Sequence, residues 1–220
     1  MVLLPAAFQC ETSESYRFYL CVGRLCDREI SVIMEAVSRS RELEARLERA
    51  EQQLRLFQRV SRLMTRDADL EDVLHEIVDL VQEFLECDSC LVYLVEDGQL
   101  VLHASNEPTR KNIGKVRLRL DEGLTGWVAR ERRLLAISRE AYTDSRFKYF
   151  KDLPQDTFEA FLSVPIISQN KVVGVINVQH RDAHTHSGND MEMLGTLGEQ
   201  IGCLLVLSAQ KSTATSSVTL

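Results

Sequence analysis

An α+β fold, with an antiparallel sheet flanked by helices and preceded by a long N-terminal coiled-coil helix, is predicted by three features of the 220-residue chain. The first is a heptad seam of apolar and small residues from Ile33 to Met64. The second is a set of short apolar runs joined by two- to four-residue turn signals, the mark of strands that pair antiparallel. The third is a pair of amphipathic helices bracketing those runs and able to cover one sheet face.

The seam consists of Ile33, Ala36, Ser40, Leu43, Leu47, Ala50, Leu54, Phe57, Ser61 and Met64, at alternating steps of three and four and flanked by Glu and Arg. A continuous helix over this span would be about 48 Å long at 1.5 Å per residue. So polar a helix cannot bury its seam against itself. A homodimer paired through Leu43, Leu47 and Leu54 is therefore expected, folding back onto its own domain being the alternative. Upstream, residues 1–30 show no sustained period, contain Pro5 and Gly23, and are left without an assigned structure. The coiled-coil helix is placed at 31–66.

The globular part follows at 67–209. Asp69 and Asp72 mark a helix start, and Leu70, Val73, Leu74, Ile77, Val78, Val81, Phe84 and Leu85 form a wide apolar stripe running to about Glu86. Cys90–Val95 and Leu100–Ser105 read as strands around the turn signal Asp97-Gly98. Val116, Leu118 and Leu120 alternate with basic residues and predict a third strand over Lys115–Leu120. Gly123–Arg132 reads as a short helix, Leu134–Ser138 as a strand, and Asp144–Lys151 as a short helix or lid-like loop. Phe161–Ile167 and Val172–Gln179 form a second hairpin, in which Pro165 requires an edge position or a bulge. Ser187 and Asp190 have capping-box spacing before a last helix with Met191, Leu194, Leu197, Ile201, Leu204 and Leu205 on one side, where Gly195, Gly198 and Gly202 permit close approach. The Ser- and Thr-rich residues 210–220 are expected to be a disordered tail. The segment 106–160 must cover the second sheet face, which makes a cavity there an expectation.

Composition narrows the function. With 26 basic and 33 acidic residues the net charge is −7, and no basic stripe is available to neutralise phosphates, so nucleic acid is not the expected partner. Residues 1–66 carry 11 basic and 9 acidic side chains, which leaves 15 and 24 for the rest and confines the acidity to the globular part. No run approaches the roughly 18 apolar residues of a membrane span, and Met1–Phe8 lacks the features of a signal peptide. A cytoplasmic protein is the reading. The six cysteines, at 10, 21, 26, 87, 90 and 203, are too scattered for a disulfide scaffold.

In order along 67–209, the amphipathic helix, CLVYLV with its Asp97-Gly98 turn, EGLTGWVARER at 122–132, TDSRF at 143–147, FLSVPI at 161–166, VVGVINVQH at 172–180 and the capped last helix resemble a GAF domain, the sensor module related to PAS domains. IGKV at 113–116 and RFKYF at 146–150 look most like the sensor GAF domain of nitrogen-type PEP phosphotransferase enzyme I. The resemblance implies a GAF/PAS-like sheet and a small-molecule pocket. No phosphotransferase region follows here, so that activity is not carried over, and the output is expected to pass to an effector protein in trans.

Trp127, Tyr142, Phe147, Tyr149, Phe150, Phe158 and Phe161 fall in or beside the segment covering the second face. The candidate ligand-binding set is Trp127, Tyr142, Phe147, Tyr149, Phe150 and Phe161, with Ser163 and Asn177 as polar anchors; the bland reading of the aromatics is core filling. The residues name neither the ligand nor a cofactor. Cys87 and Cys90 form a CxxC without a second pair for a metal, and Cys87 stands at a helix C-terminus, where the dipole disfavours a thiolate, so a structural role is expected. The pocket cysteines of methionine sulfoxide-reducing GAF proteins cannot be matched. The Asn-Lys, Phe, Asp-Glu signature of cyclic-nucleotide GAF domains is not met by Asn170-Lys171, and no cysteine lies where a bilin would attach. His180, Asp182, His184 and His186 alternate at period two, a pattern able to gather Zn or Ni ligands. By analogy with related polar loops they are read as solvated, and no metal site is assigned. With no phosphate-binding loop, metalloprotease motif or nucleophile elbow, no enzymatic activity is expected. The function expected is a sensor binding a small molecule and regulating a partner through the dimeric helix. The alternatives are a dimerisation adaptor with a filled cavity and a thiol-dependent redox enzyme.

Overall fold

The computed structural model describes residues 13–106, 112–148 and 158–216, with side chains described between 31 and 208. The chain divides into two compact units, one ending at Glu51 and the other beginning at Gln52.

Helix α1 spans Ser13–Met64, so it begins well before residue 31. Gly23 is the only breaker in the added stretch, and a single interior glycine costs about 1 kcal/mol, which a long helix absorbs. In the first unit the seam is solvent-facing: Ile33, Leu43 and Leu47 are 62%, 62% and 61% exposed. Glu35–Arg39 and Glu42–Arg46 pair one turn apart at 3.3 and 2.7 Å on the same helix.

In the second unit Leu54 is still exposed, but the seam does not continue as the buried stripe. Leu56, Val60 and Leu63 are the residues that enter the core, while Phe57 and Met64 are half-buried at its margin and Ser61 is exposed. The buried stripe is the seam register moved back by one residue, a rotation of about 100° around the helix. The final turns of α1 thus pack on their own domain, and pairing with a second copy is not what buries them. Arg66 adds a two-oxygen contact to Glu76, both distances 2.9 Å.

Helix α2, Leu70–Leu85, starts where Asp69 and Asp72 predict, although the Asp69 side chain makes no capping bond. Strands β1 (Ser89–Glu96), β2 (Gln99–Ser105), β3 (Arg117–Arg119), β4 (Leu135–Ile137), β5 (Ala160–Ser168) and β6 (Lys171–His180) form one sheet in the order β3-β2-β1-β6-β5-β4. All neighbours pair antiparallel. Two tight turns set its registers. Asp97 and Gly98 have φ of 48° and 76°, and Gln169 and Asn170 have 47° and 62°, the positive values that two-residue hairpin turns need to match strand twist. Pro165 satisfies its constraint because β4 pairs only with Phe161–Ser163, which leaves the proline beyond that ladder and next to an irregularity at Ile166/Ile167.

One sheet face, with Cys90, Val92, Leu94, Ala104, Leu162, Val164, Ile166, Ile176 and Val178, is buried under α2, the end of α1 and helix α4, Gly188–Ser216. Each large side chain fully buried there contributes about 1.5–3 kcal/mol. On the other face Tyr93, Leu100, Leu102, Leu118 and Val175 lie under helix α3, Gly123–Glu131. The segment expected to wind or fold as a lid over Asp144–Lys151 has its helical turn earlier, a 3-10 turn at Ala141–Thr143. Asp144 then closes a turn, its carboxylate accepting the Arg146 N–H at 2.9 Å while its carbonyl accepts that of Phe147 at 2.8 Å.

The start of α4 is a reciprocal cap. Ser187 Oγ accepts the Asp190 N–H at 3.2 Å, and the Asp190 carboxylate accepts the Ser187 N–H at 2.9 Å and its hydroxyl at 2.7 Å. Met193, absent from the predicted stripe, is fully buried while Met191 is only half-buried. The backbone stays helical to Ser216, past the expected start of the tail at residue 210, since no Gly or Pro stops it. The three interior glycines differ. A Cβ at Gly202 would stand 2.8 Å from the Ile167 carbonyl oxygen and one at Gly198 3.3 Å from that of Pro165, whereas one at Gly195 meets nothing within 4 Å. Gly195→Ala should therefore stabilise by about 0.5–1 kcal/mol and Gly202→Ala destabilise by about 1–3 kcal/mol in urea unfolding. Changes of the same sign would show that α4 does not sit against β5 as described.

Candidate functional site

The α3 face gathers most of the residues singled out in the sequence. Ser163 and Asn177 are cross-strand partners on β5 and β6 and are 0% and 2% exposed. Ser163 Oγ donates to Asn177 Oδ1 at 2.7 Å, and Asn177 Nδ2 donates to Thr125 Oγ1 of α3 at 2.8 Å. The two predicted anchors are therefore engaged with one another and with the helix above them. Thr125, the third member, was not predicted, because nothing in sequence spacing reveals which residue of a covering helix faces a strand 52 positions away. Gly126 lets α3 sit this low, since a Cβ there would fall 2.6 Å from the Arg119 carbonyl oxygen.

Phe161 is buried with Leu124 and Ala141, and Phe147 is half-buried against that cluster. Trp127 is half-buried beside the cluster under α3, with the Arg146 guanidinium 4.5 Å from its ring centroid. Tyr142 is half-buried in the 3-10 turn. Tyr149 and Phe150 lie outside the described residues. The segment 144–148 is fastened over α3 by polar contacts. Arg146 donates from Nε and Nη2 to the two Asp144 oxygens at 2.8 and 2.6 Å, and this fork holds the Asp144 carboxyl down at about 2. Lys148 Nζ pairs with Glu122, whose carboxyl is lowered first by that bond and then by the Arg119 N–H. Two open clefts, ≈ 420 and ≈ 340 Å³, lie instead along the end of α1 and α2, lined by Arg59, Arg62, Arg66, Glu76, Glu83 and their neighbours, with none of the predicted residues.

Two of the cysteines lie on the other side of the sheet. Cys87 and Cys90 are buried free thiols in the α2 and α4 core. Burial pushes the Cys87 thiol up to about 12 and raises Cys90 well above its ordinary value. Neither is a ready nucleophile.

The histidine loop departs from expectation. His180 ends β6, the His184 N–H donates to the Ser138 carbonyl just past β4 at 2.9 Å, and His186 precedes the cap of α4. His180 and His186 are only 6% and 4% exposed, so these two side chains of the loop are not solvated. The three rings cluster, with centroids 3.9 Å apart for His180 and His184, 4.8 Å for His184 and His186, and 5.1 Å for His180 and His186. Asp182, the fourth member of the period-two pattern, is exposed and outside the group. Burial, then the neighbouring imidazoles, lower His180 and take His186 to about 4, which keeps these rings neutral with free lone pairs.

Residues 67–205 match the family profile described as GAF domain. The chain belongs to the GAF domain family. Among curated proteins, a phosphoenolpyruvate-dependent phosphotransferase system protein of Escherichia coli (strain K12) is 29% identical over 138 residues, 62% of this chain and 18% of that protein. The chain thus matches under a fifth of its relative's length. The GAF domain of a phosphoenolpyruvate-protein phosphotransferase from Coxiella burnetii superposes with a TM-score of 0.69 at 24% identity, covering 74% of this chain and 98% of that one. The corresponding GAF domain from Acinetobacter gives 0.65 at 27% identity, with 72% and 95% covered. The free methionine-R-sulfoxide reductase of Neisseria meningitidis shares the fold, at TM-score 0.59 and 18% identity over 71% of this chain and 89% of that one. GAF domains of phosphoenolpyruvate-protein phosphotransferases are thus among the proteins this domain is similar to.

Two outcomes test the α3 face. Asn177→Ala should cost about 2–3 kcal/mol in urea unfolding, because it strands two buried hydroxyls; a change below about 0.5 kcal/mol would mean that the three side chains are not bonded as described. The Asp144 carboxyl is lower folded than unfolded, so its contribution is complete above about pH 4 and is lost as pH falls towards 2. Asp144→Asn should therefore be less stable than the parent at pH 5 and approach it near pH 2, and a pH-independent gap would contradict this.

Proposed function

We propose that this GAF domain is a cytoplasmic regulatory sensor that takes a small molecule on its α3 face and passes the change to an effector through a pair of α1 helices. The observation that carries this reading is the division of labour along α1: Leu43, Leu47 and Leu54 are exposed on a heptad seam, while Leu56, Val60 and Leu63 are built into the domain core. A shift of the core is felt by the same helix that offers the seam, and Ser40 and Ser61 weaken commitment to a single register. The α3 face suits the input role. Its cover is held by the Thr125–Asn177 bond, the Lys148–Glu122 pair and the Arg146–Trp127 contact, which a ligand with its own polar groups could replace. No described helix is long and apolar enough to cross a membrane.

A second reading, a dimerisation adaptor without ligand, is favoured by the internal satisfaction of Ser163 and Asn177 and the burial of Phe161. Thiol redox chemistry draws no support from Cys87 and Cys90, whose raised thiols lie away from the α3 face. Native mass spectrometry of protein purified from its own host should reveal a retained small molecule, and adding that molecule should raise the melting temperature. A ligand-free protein that is still fully dimeric would favour the adaptor. Charged substitution at Leu43 and Leu47 (Leu43→Glu with Leu47→Glu) should convert dimer to monomer in analytical ultracentrifugation with little change in domain melting; an unchanged oligomeric state removes the helix pair from the reading.

A further inference from the structure

Three imidazoles meet at the end of β6, away from the α3 face. One potential ligand atom from each of His180, His184 and His186 falls within 4.8 Å of the other two. Clustering alone would be ordinary for a surface loop, but two of these rings are buried and unpaired. His180 Nε2 and both ring nitrogens of His186 have no hydrogen-bond partner. Buried polar atoms are nearly always satisfied, and an imidazole left so is costly unless something outside the chain takes its lone pair.

We propose that His180, His184 and His186 form a binding site for one divalent transition-metal ion of the zinc class. Three neutral imidazoles are the ligand set of an open tetrahedral centre, leaving a fourth position for water or an anion. Softness and geometry select Zn²⁺, Co²⁺ or Ni²⁺ over Mg²⁺ or Ca²⁺, which want oxygen ligands. Bonds of about 2.0–2.1 Å to a tetrahedral ion put the nitrogens about 3.3 Å apart. The described spacing is wider, so the rings turn inward about their side-chain torsions, which are broad for histidine. The ligands come from the end of β6, from the loop tied to Ser138 beyond β4, and from the residue before the α4 cap. The ion would therefore cross-link the sheet end to the start of α4. Nothing in this site overlaps the α3 face, and Asp182 is no part of it.

The test uses the full chain without a polyhistidine tag, stripped with chelator and titrated with Co²⁺ and Zn²⁺. One equivalent of Co²⁺ should develop the visible absorption of a tetrahedral nitrogen-ligated ion, and Zn²⁺ should displace it and raise the melting temperature. His186→Phe keeps the cavity filled and His184→Ala alters the more exposed ring; each should weaken binding at least ~10-fold, the lower end of what even outer-shell losses cost. Should His186→Phe fail to fold, His184→Ala alone decides. The proposal is overturned by the lack of saturable binding near stoichiometry, by unchanged affinity in His184→Ala, or by a thiolate-to-cobalt charge-transfer band assigning the ion to cysteine.

Discussion

Everything in the domain follows from a single sheet whose two faces are both apolar. An antiparallel sheet can leave one face to water, but here Leu162, Val164, Ile176 and Val178 on one side and Tyr93, Leu100, Leu102 and Val175 on the other all demand cover. Helices from the two ends of the domain supply one cover, with backbone contact close enough at Gly202 to exclude any side chain. The second cover has to come from inside the sequence, between β2 and β5, and its described helix, α3, is shorter than α2 or α4. That inequality gives the two sides different characters. The α2 and α4 side is a continuous hydrocarbon core, while the α3 side combines smaller apolar clusters with a buried amide and two hydroxyls.

The polar strip Thr125–Asn177–Ser163 is where the unequal covers are reconciled. Hydrogen bonds are directional where hydrophobic contact is not, so three satisfied side chains fix the position of α3 on the sheet. The cost is that any movement of α3 must break a buried bond or exchange it for an equivalent one. In the proposed sensor, a polar molecule entering the α3 face would have to compete with these bonds.

Much of this order is legible in the sequence because it rests on local rules. Asp97-Gly98 names its turn through the backbone it tolerates, Ser187 and Asp190 name their cap through spacing, and Pro165 correctly announces the end of a ladder. What escapes is decided by neighbours distant in sequence. Met193 and Thr125 look unremarkable until α4 meets β5 and α3 meets β6. Leu56, Val60 and Leu63 are hidden by the stronger heptad beside them, since two stripes one residue apart on a helix compete for the same reading. Among the predicted site residues, Ser163 and Asn177 do come together, but as partners of each other. The histidines were visible as a period-two pattern, yet the burial of His180 and His186 is a tertiary property that spacing cannot report.

The double striping of α1 has a consequence for how such a protein can change over generations. In the proposed helix pair the residues that would choose a partner, Leu43, Leu47 and Leu54, are exposed, and they are not the residues that enter the domain core, Leu56, Val60 and Leu63. Given that pairing, substitutions on the first set could drift, and so rewire which helix is recognised, without passing through unfolded intermediates. Lineages descended from one ancestral gene could therefore acquire separate, non-crossing partnerships while retaining the same sensor.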